Sequence, residues 1–417
     1  MLRVLHVIET IAPREGGPPR VVAGLARAQR ELGIEADVLC GDGQDLADHL
    51  EHWQAHAAGF APNSVHAIGS GGQTLLARRA ELHEWLRAHL ARFDLVHVHH
   101  LWRLVPTVTA NACRRSHIPY LIAPHTGLSP WALAQKRAKK SLARWLIWDR
   151  LLRSAAGFHA LNELEAAEIR DCIGAAAPPI SVVPNGVSLT EYPGLSAPAA
   201  PAALENVLSS PQGAAPFVLF LARLHIMKGP DLLLEAFAQV AAAHPQLKLV
   251  FAGPDFGMLA QLRKRVAAHR LSDRVHFLGL VSGAERYWLL NNALCVSQPS
   301  RDEGFSLSIL EALACARPVV ISDQCKFPQV AASGAGVVVP LAVSQLATAL
   351  EAYASDPARR ARDGRRGREL IEASYNLDAI ARLTEEMYVK AVASLRQASG
   401  PRESDGSTRP AKSQRHE

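Results

Sequence analysis

Short apolar runs alternate with longer segments of helical period along most of the 417-residue chain, and this alternation restricts the fold more than any other feature. A strand, a crossover helix and a second strand return the chain in one direction, so repeated βα units close into parallel sheets. In the first half the pattern predicts strands at 4–8, 36–40, 65–68, 95–99, 120–123, 157–160 and 180–183, with helices such as 19–32, 74–92 and 162–172. The alternation stops in a Pro-, Ala- and Ser-rich stretch at 192–216 and then restarts. Strands are predicted at 217–221, 247–252, 275–278, 294–297 and 318–321, and helices at 231–243, 258–268, 284–290 and 306–314.

The expected fold is therefore α/β, with two Rossmann-like doubly wound domains facing a cleft. Residues 1–191 form the first domain, 192–216 a linker and 217–375 the second domain. A last helix at 376–396 is expected to pack back on the first domain, and 397–417 is too hydrophilic to pack and reads as a disordered tail. A hydrophobic fraction of 48 % against 20 % charged residues agrees with globular domains and excludes a coiled coil.

Six cysteines without a CxxC pair suggest neither a disulfide framework nor a zinc knuckle, and read as reduced cytosolic thiols. The N-terminus has no signal-peptide pattern and no window reaches the ~20 apolar residues of a membrane span. A cytoplasmic protein is expected, soluble or peripheral on the inner face of the plasma membrane.

Doubly wound sheets bind ligands at the carboxyl ends of their strands, and three segments there carry chemistry. In 299–323, PSRDEGFSLSILEALACARPVVISD, Glu303 lies on a loop before Gly304, Phe305 and Ser306, with Glu311 expected two turns into the following helix. Helix-start N–H groups suit a phosphate and the carboxylates suit sugar hydroxyls, although periodicity alone equally allows two solvated glutamates. In LARLHIMKGPD, Arg223 and Lys228 place two cations in a strand-to-helix loop, as a diphosphate would need; taken alone, such a loop is more often merely solvated. In EGGPPR, Gly16 and Gly17 allow close backbone approach to a phosphate, but the segment is not GxGxxG and no acidic ribose ligand follows the second strand.

Together these segments resemble the retaining, nucleotide-sugar-dependent glycosyltransferases of GT-B architecture, group 1 or family 4, along the chain up to residue 396. The E-x7-E motif from Glu303 to Glu311 carries the resemblance most specifically. The resemblance implies that Glu303 contacts donor-sugar hydroxyls, Glu311 the nucleotide ribose, and Arg223 with Lys228 the diphosphate leaving group. It also implies that His125, in APHTGLSPWAL, stands beside the donor sugar; without it, His125 reads as an ordinary loop histidine. The chain departs from the family pattern at Ala222 and Ala316, where glycine is common, and at Gln329, where glutamate is common. The two alanines bring a methyl where the backbone would approach the ligand.

The implied reaction moves a sugar, as a hexosyltransferase, to a glycan or lipid-linked acceptor in bacterial surface polysaccharide synthesis. Lys228, Arg223 and helix N-termini would stabilise the departing diphosphate without a metal, and no strand ends in Asp-x-Asp. No cofactor beyond the nucleotide-sugar donor is expected. His97, His99 and His100 look like a metal cluster, but strand alternation turns His100 away from the other two and no Cys, Asp or Glu completes a site nearby.

The formal net charge of +6 is concentrated in 131–153, which has seven Lys and Arg against Asp149. Lys136, Arg137, Lys139 and Lys140 alternate there with apolar residues, which reads as a basic amphipathic helix that either contacts anionic membrane or packs on the first domain with a solvated basic face. Nucleic acid is not expected, because no binding motif accompanies the basic run. Two other functions share the architecture: a nucleotide-sugar epimerase, and a non-catalytic nucleotide-sugar-binding subunit.

Overall fold

The structure is a computed structural model and describes residues 1–55, 61–69, 74–192, 201, 204, 208–210 and 213–398. Seven strands, β1 Arg3–Val7, β2 Glu35–Cys40, β3 Val65–Ala67, β4 Leu95–His99, β5 Tyr120–Ala123, β6 Gly157–Ala160 and β7 Ile180–Val182, form one sheet in the order β3-β2-β1-β4-β5-β6-β7. A short ladder pairs β8 Ser209–Ser210 with β9 Gly213–Ala214. The second sheet contains β10 Phe217–Leu221, β11 Lys248–Ala252, β12 Val275–Gly279, β13 Cys295–Gln298, β14 Val319–Ser322 and β15 Gly336–Val339, in the order β12-β11-β10-β13-β14-β15. Every neighbouring pair within these two sheets is parallel. The central strands are buried on both faces: β10, FVLFL, is a continuous apolar run, while β4, LVHVH, is equally buried but carries His97 and His99 on one face.

β15 went unread in the sequence because its GVVV is one short run between glycines and a proline, too brief to separate from a loop. Of the stretch 192–216, residues 193–200, 202–203, 205–207 and 211–212 lie outside the described ones, as do 399–417 of the tail. The described Leu204 and Leu208 are buried in the core of the second domain. Leu377–Ala398 forms one helix whose Ile380, Met387, Tyr388 and Ala391 pack with Val4, Ile34, Leu95 and Leu121 of the first domain.

Two local expectations change. The basic segment is not one helix: Pro130–Ala134 ends at Gln135, Lys136 adopts φ 53°, and Arg137–Ala143 runs through a π-helical turn, Arg144–Trp148, into Asp149–Arg153. The break and the π turn let Trp148, Leu151 and Leu152 reach the core while Leu142, Trp145, Leu146 and Ile147 stay exposed. Ala316 lies beyond the C-terminus of helix Leu307–Ala314, at φ 51°, so its methyl strains the backbone rather than crowding the ligand end.

Candidate active site

Each sheet reverses its strand order once, between β1 and β4 and between β10 and β13, and the loops after these four strands converge on one interdomain cleft. Gly16 and Gly17 follow β1, His100 follows β4, Arg223 and Lys228 follow β10, and Glu303 with Gly304, Phe305 and Ser306 follows β13; all line the cleft. His125, in the loop after β5, lines it too.

Glu303 is nearly buried and its Oε2 accepts from Lys228 Nζ at 2.5 Å, Gln298 Nε2 at 2.6 Å and Ser300 Oγ at 3.3 Å. None of these three donors reaches Oε1. The loop of Lys228 comes close enough for this because residue 229 is glycine at φ 70°: a Cβ there would lie 2.0 Å from the Pro299 carbonyl oxygen. Beyond Glu303, helix Leu307–Ala314 starts without a side-chain cap, because Ser306 and Ser308 donate to Gln298 Oε1 instead. Its first-turn N–H groups therefore have no side-chain acceptor, and with Lys228 beside them the position suits an anion.

Across the cleft, helix Gly17–Glu31 also begins without a side-chain cap, on Gly16 at φ 82°. Pro18 and Pro19 carry no N–H, so this helix start offers fewer donors than the one at Leu307. Arg223 spans the gap, with Nη1 3.4 Å from Glu15 Oε2 and its guanidinium over the Phe256 ring.

Glu311 is the fifth residue of its helix, one turn in rather than two, because Gly304–Ser306 remain loop. It is 1 % exposed and stands behind the cleft wall. Arg20 of the first domain holds Oε1 at 3.1 Å, and Arg286 holds Oε2. Burial alone would raise this carboxyl, but the Arg286 and Arg20 guanidinium groups hold it below the usual carboxylate range. A ribose hydroxyl reaching Glu311 would share its oxygens with these two arginines.

His125 and Thr126 take φ values of 47° and 65°, and His100 and Trp102 opposite them 66° and 64°. Such left-handed backbone at non-glycine residues concentrates where a structure holds functional groups under constraint. Here Glu165 supplies the constraint: its carboxylate accepts from the Thr126 and Leu161 N–H groups, both at 2.8 Å, and burial pushes its carboxyl upward against these two bonds. Burial, with His100 and His159 nearby, also holds His125 well below the ordinary imidazole value, so it is neutral at pH 7.

His97 and His99 do share a face, together with His6, while His100 turns to the cleft. Ligand atoms of His6, His97 and His99 lie within 4.8 Å of one another. All six of their ring nitrogens are already hydrogen-bonded, however, to one another, to His125 and His159, to Gln29 and to Tyr388. A cation at this cluster would have to break that set.

Several residues that close the cleft carried no local signal in the sequence. Asn162 Nδ2 donates to the Gly304 carbonyl at 2.7 Å and Asn185 Nδ2 to that of Phe305 at 2.9 Å. Ser129 donates to Asp302 at 2.7 Å, and Lys326 bridges Asp302 and Glu168. Asn162 also caps its own helix, its Oδ1 accepting from the Glu165 N–H at 2.8 Å. From Arg223 and His100 a groove continues over the first domain past Trp102, Lys136, Lys139 and Lys140. Arg137 is exposed on the same helix as Lys139 and Lys140. Among the described residues, no helix is long and apolar enough to cross a membrane.

Comparison with known proteins places two family profiles on this frame. Residues 16–186 match the glycosyl transferase 4-like domain and residues 209–370 match glycosyl transferases group 1. A D-inositol 3-phosphate glycosyltransferase of Kineococcus radiotolerans is 30 % identical over 352 residues, covering 79 % of this chain and 77 % of that protein. A glycogen synthase of Mycobacterium tuberculosis is 26 % identical over 408 residues, covering 90 % and 92 %. Among solved structures, sucrose-phosphate synthase from Thermosynechococcus elongatus superposes with a TM-score of 0.72 at 21 % identity, covering 94 % of this chain and 100 % of that one. Anabaena Alr3699/HepE in complex with UDP and glucose also reaches 0.72, at 19 % identity, covering 93 % and 100 %.

Proposed function

The chain belongs to the group 1 glycosyltransferases of two-domain GT-B type, and on that premise we propose that it transfers a sugar from a nucleotide-diphosphate donor to a glycan or lipid-linked acceptor, with retention, in bacterial surface polysaccharide synthesis. One observation carries the reading. Glu303, anchored through Oε2 by Lys228, Gln298 and Ser300, stands at an uncapped helix start that faces Gly16, Gly17 and His125 across the cleft.

In this reading the donor diphosphate lies between Arg223, Lys228 and the N–H groups of Phe305, Ser306 and Leu307. As the bond to the sugar breaks, negative charge grows on the leaving phosphate, and these fixed cations and dipoles stabilise it. Glu303 Oε1 accepts from a sugar hydroxyl and His125 stands on the opposite side. The leaving phosphate takes the acceptor's proton from the same face, so no enzymatic carboxylate attacks and no metal is required. The complexes of Anabaena Alr3699/HepE with UDP-glucose support a uridine nucleotide as the first donor to try.

The test is a panel of UDP-, GDP- and ADP-sugars with purified protein, scored for binding, hydrolysis and transfer to membrane and glycan extracts. Transfer with one donor is expected, and absence of transfer, hydrolysis and binding throughout rejects the reading. Isomerised sugar formed without acceptor would instead identify an epimerase, and donor binding that becomes productive only with a second protein would identify a binding subunit.

A further inference from the structure

Behind His125 a continuous hydrogen-bonded chain crosses the first domain. His125 Nε2 lies 3.0 Å from His99 Nδ1, His99 Nε2 3.0 Å from His6 Nδ1, and His6 Nε2 2.8 Å from Gln29 Oε1. Gln29 Nε2 is 3.1 Å from the Tyr388 hydroxyl, which is 2.8 Å from His97 Nδ1. His97 Nε2 lies 3.2 Å from His159 Nδ1, and His159 Nε2 ends the chain 2.7 Å from the Val183 carbonyl oxygen. His6, Gln29, His97, His99, His159 and Tyr388 are all buried.

The end of this chain determines its direction. A carbonyl oxygen only accepts, so His159 Nε2 carries the hydrogen, and in a neutral ring Nδ1 then accepts. His97 must therefore donate through Nε2 and accept through Nδ1, so the Tyr388 hydroxyl donates to it. With its one hydrogen used, the Tyr388 oxygen accepts from the Gln29 amide NH2, which turns the Gln29 carbonyl oxygen toward His6. His6 donates to it through Nε2 and accepts through Nδ1 from His99 Nε2–H, and His99 Nδ1 accepts from His125 Nε2–H. The orientation of the Gln29 amide agrees with the direction imposed from the far end. Burial holds His6 and His159 down at about 4 and His97 and His99 well below 6.5, which keeps every ring in the chain neutral at pH 7.

We propose that Tyr388 is a positioning residue which, through this buried chain, locks His125 in the neutral Nε2–H tautomer and so presents Nδ1 as an acceptor for a hydroxyl of the molecule bound in the cleft. Among the described residues Nδ1 of His125 has no protein partner, and the ring lines the cleft. Because the chain ends on a carbonyl, it conducts no proton to solvent; it stores an orientation. Tyr388 belongs to helix Leu377–Ala398, which follows the second domain and packs back on the first, so the tautomer at the site depends on that helix being docked.

The tautomer itself does not depend on the transferase reading; its kinetic consequence does. Nitrogen-15 NMR of the full chain labelled at histidine, with the His125 signal assigned from its loss in His125→Asn, reads the tautomer directly. The expected result at pH 7.5 is a protonated Nε2 and an unprotonated Nδ1. Tyr388→Phe removes the donor to His97, and the His125 signal should become a tautomer mixture, with kcat down about tenfold and donor KM within about twofold. Gln29→Leu breaks the chain at a second point and should give the same signature, with the double variant no worse than either single one. A His125 protonated at Nδ1 or at both nitrogens in the unaltered protein overturns the proposal. So does a His125 signal and kcat unchanged in whichever of the two variants folds. Were no donor to give turnover, the NMR result would still decide the tautomer.

Discussion

Arg20 of the first domain and Glu311 of the second form an ion pair across the domain boundary, with Nε 3.1 Å from Oε1. Arg20 also bonds the Tyr192 hydroxyl and Glu191, so one guanidinium ties the start of helix Gly17–Glu31 to the chain leaving the first domain and to the core of the second. Arg20→Ala leaves one oxygen of a buried carboxylate without its partner. We expect a loss of about 1–3 kcal/mol in denaturant melts, and a larger radius of gyration in small-angle scattering as the cleft opens. Unchanged scattering would mean that the remaining bridges, such as Asn162 to Gly304, hold the domains without it.

Glu303 is nearly buried among three donors, so truncation to alanine would strand Lys228, Gln298 and Ser300 and cost stability as well as activity. Glu303→Gln is the cleaner change because it keeps the shape and removes the charge. Turnover should fall at least about a hundredfold while the thermal midpoint moves little. A variant that retains more than about a tenth of the activity would remove Glu303 from the chemistry.

The buried imidazoles make stability depend on acid. His6 and His159 are held at about 4, below their ordinary 6.5, with burial as the main cause in both cases. Between 6.5 and about 4 the unfolded chain binds protons at these positions and the folded one does not, so stability is lost as the pH falls through that window. Each group contributes up to about 1.4 kcal/mol per pH unit. Glu311, held below its ordinary 4.5, adds a second loss under more acidic conditions, as protonation removes its charge from Arg286 and Arg20. Calorimetry at constant ionic strength should show the thermal midpoint falling from pH 6.5 downward, and a flat profile there would contradict the neutral network.

Ala316 occupies a left-handed turn at φ 51° that glycine adopts without strain. Ala316→Gly should stabilise the second domain by about 0.5–1 kcal/mol, the relief of Cβ strain being partly offset by the freer unfolded chain. Donor affinity should not change, because the residue lies at the end of its helix away from the cleft. Equal or lower stability in urea melts would contradict the strain.

The exposed Leu142, Trp145, Leu146 and Ile147 adjoin Lys136, Arg137, Lys139 and Lys140, and Trp145 is 76 % exposed. An apolar patch beside clustered cations suits an anionic bilayer surface. We propose that this face contacts anionic membrane: the unaltered protein should then bind vesicles containing anionic lipid, replacing the four cations with Gln should release it, and Trp145→Ser should weaken binding at high salt as well. Vesicle binding that neither change affects would leave this face to some other contact.

Much of the site was legible along the chain. Glu303, Arg223, Lys228, Gly16 and Gly17 all lie between a strand and the body of the helix that follows it, and a strand followed by a helix is a local pattern. The histidines were legible as residues but not in their roles. Strand alternation placed His97 and His99 on one face, yet nothing local announced that β1 and β4 would be neighbours and bring His6 beside both. Glu165 and Asn162 stand at the start of a helix, and no local pattern announces that their side chains hold Thr126 and the Gly304 loop.

The sequence by itself determined the two parallel sheets and the loops that carry charge to their edges, because periodicity and turn chemistry act over a few residues. The pairing of Arg20 with Glu311 and the tautomer of His125 were decided only by tertiary structure. Each joins groups from separate strands, helices and domains, and a buried charge or ring nitrogen takes its state from whichever partners the fold packs against it.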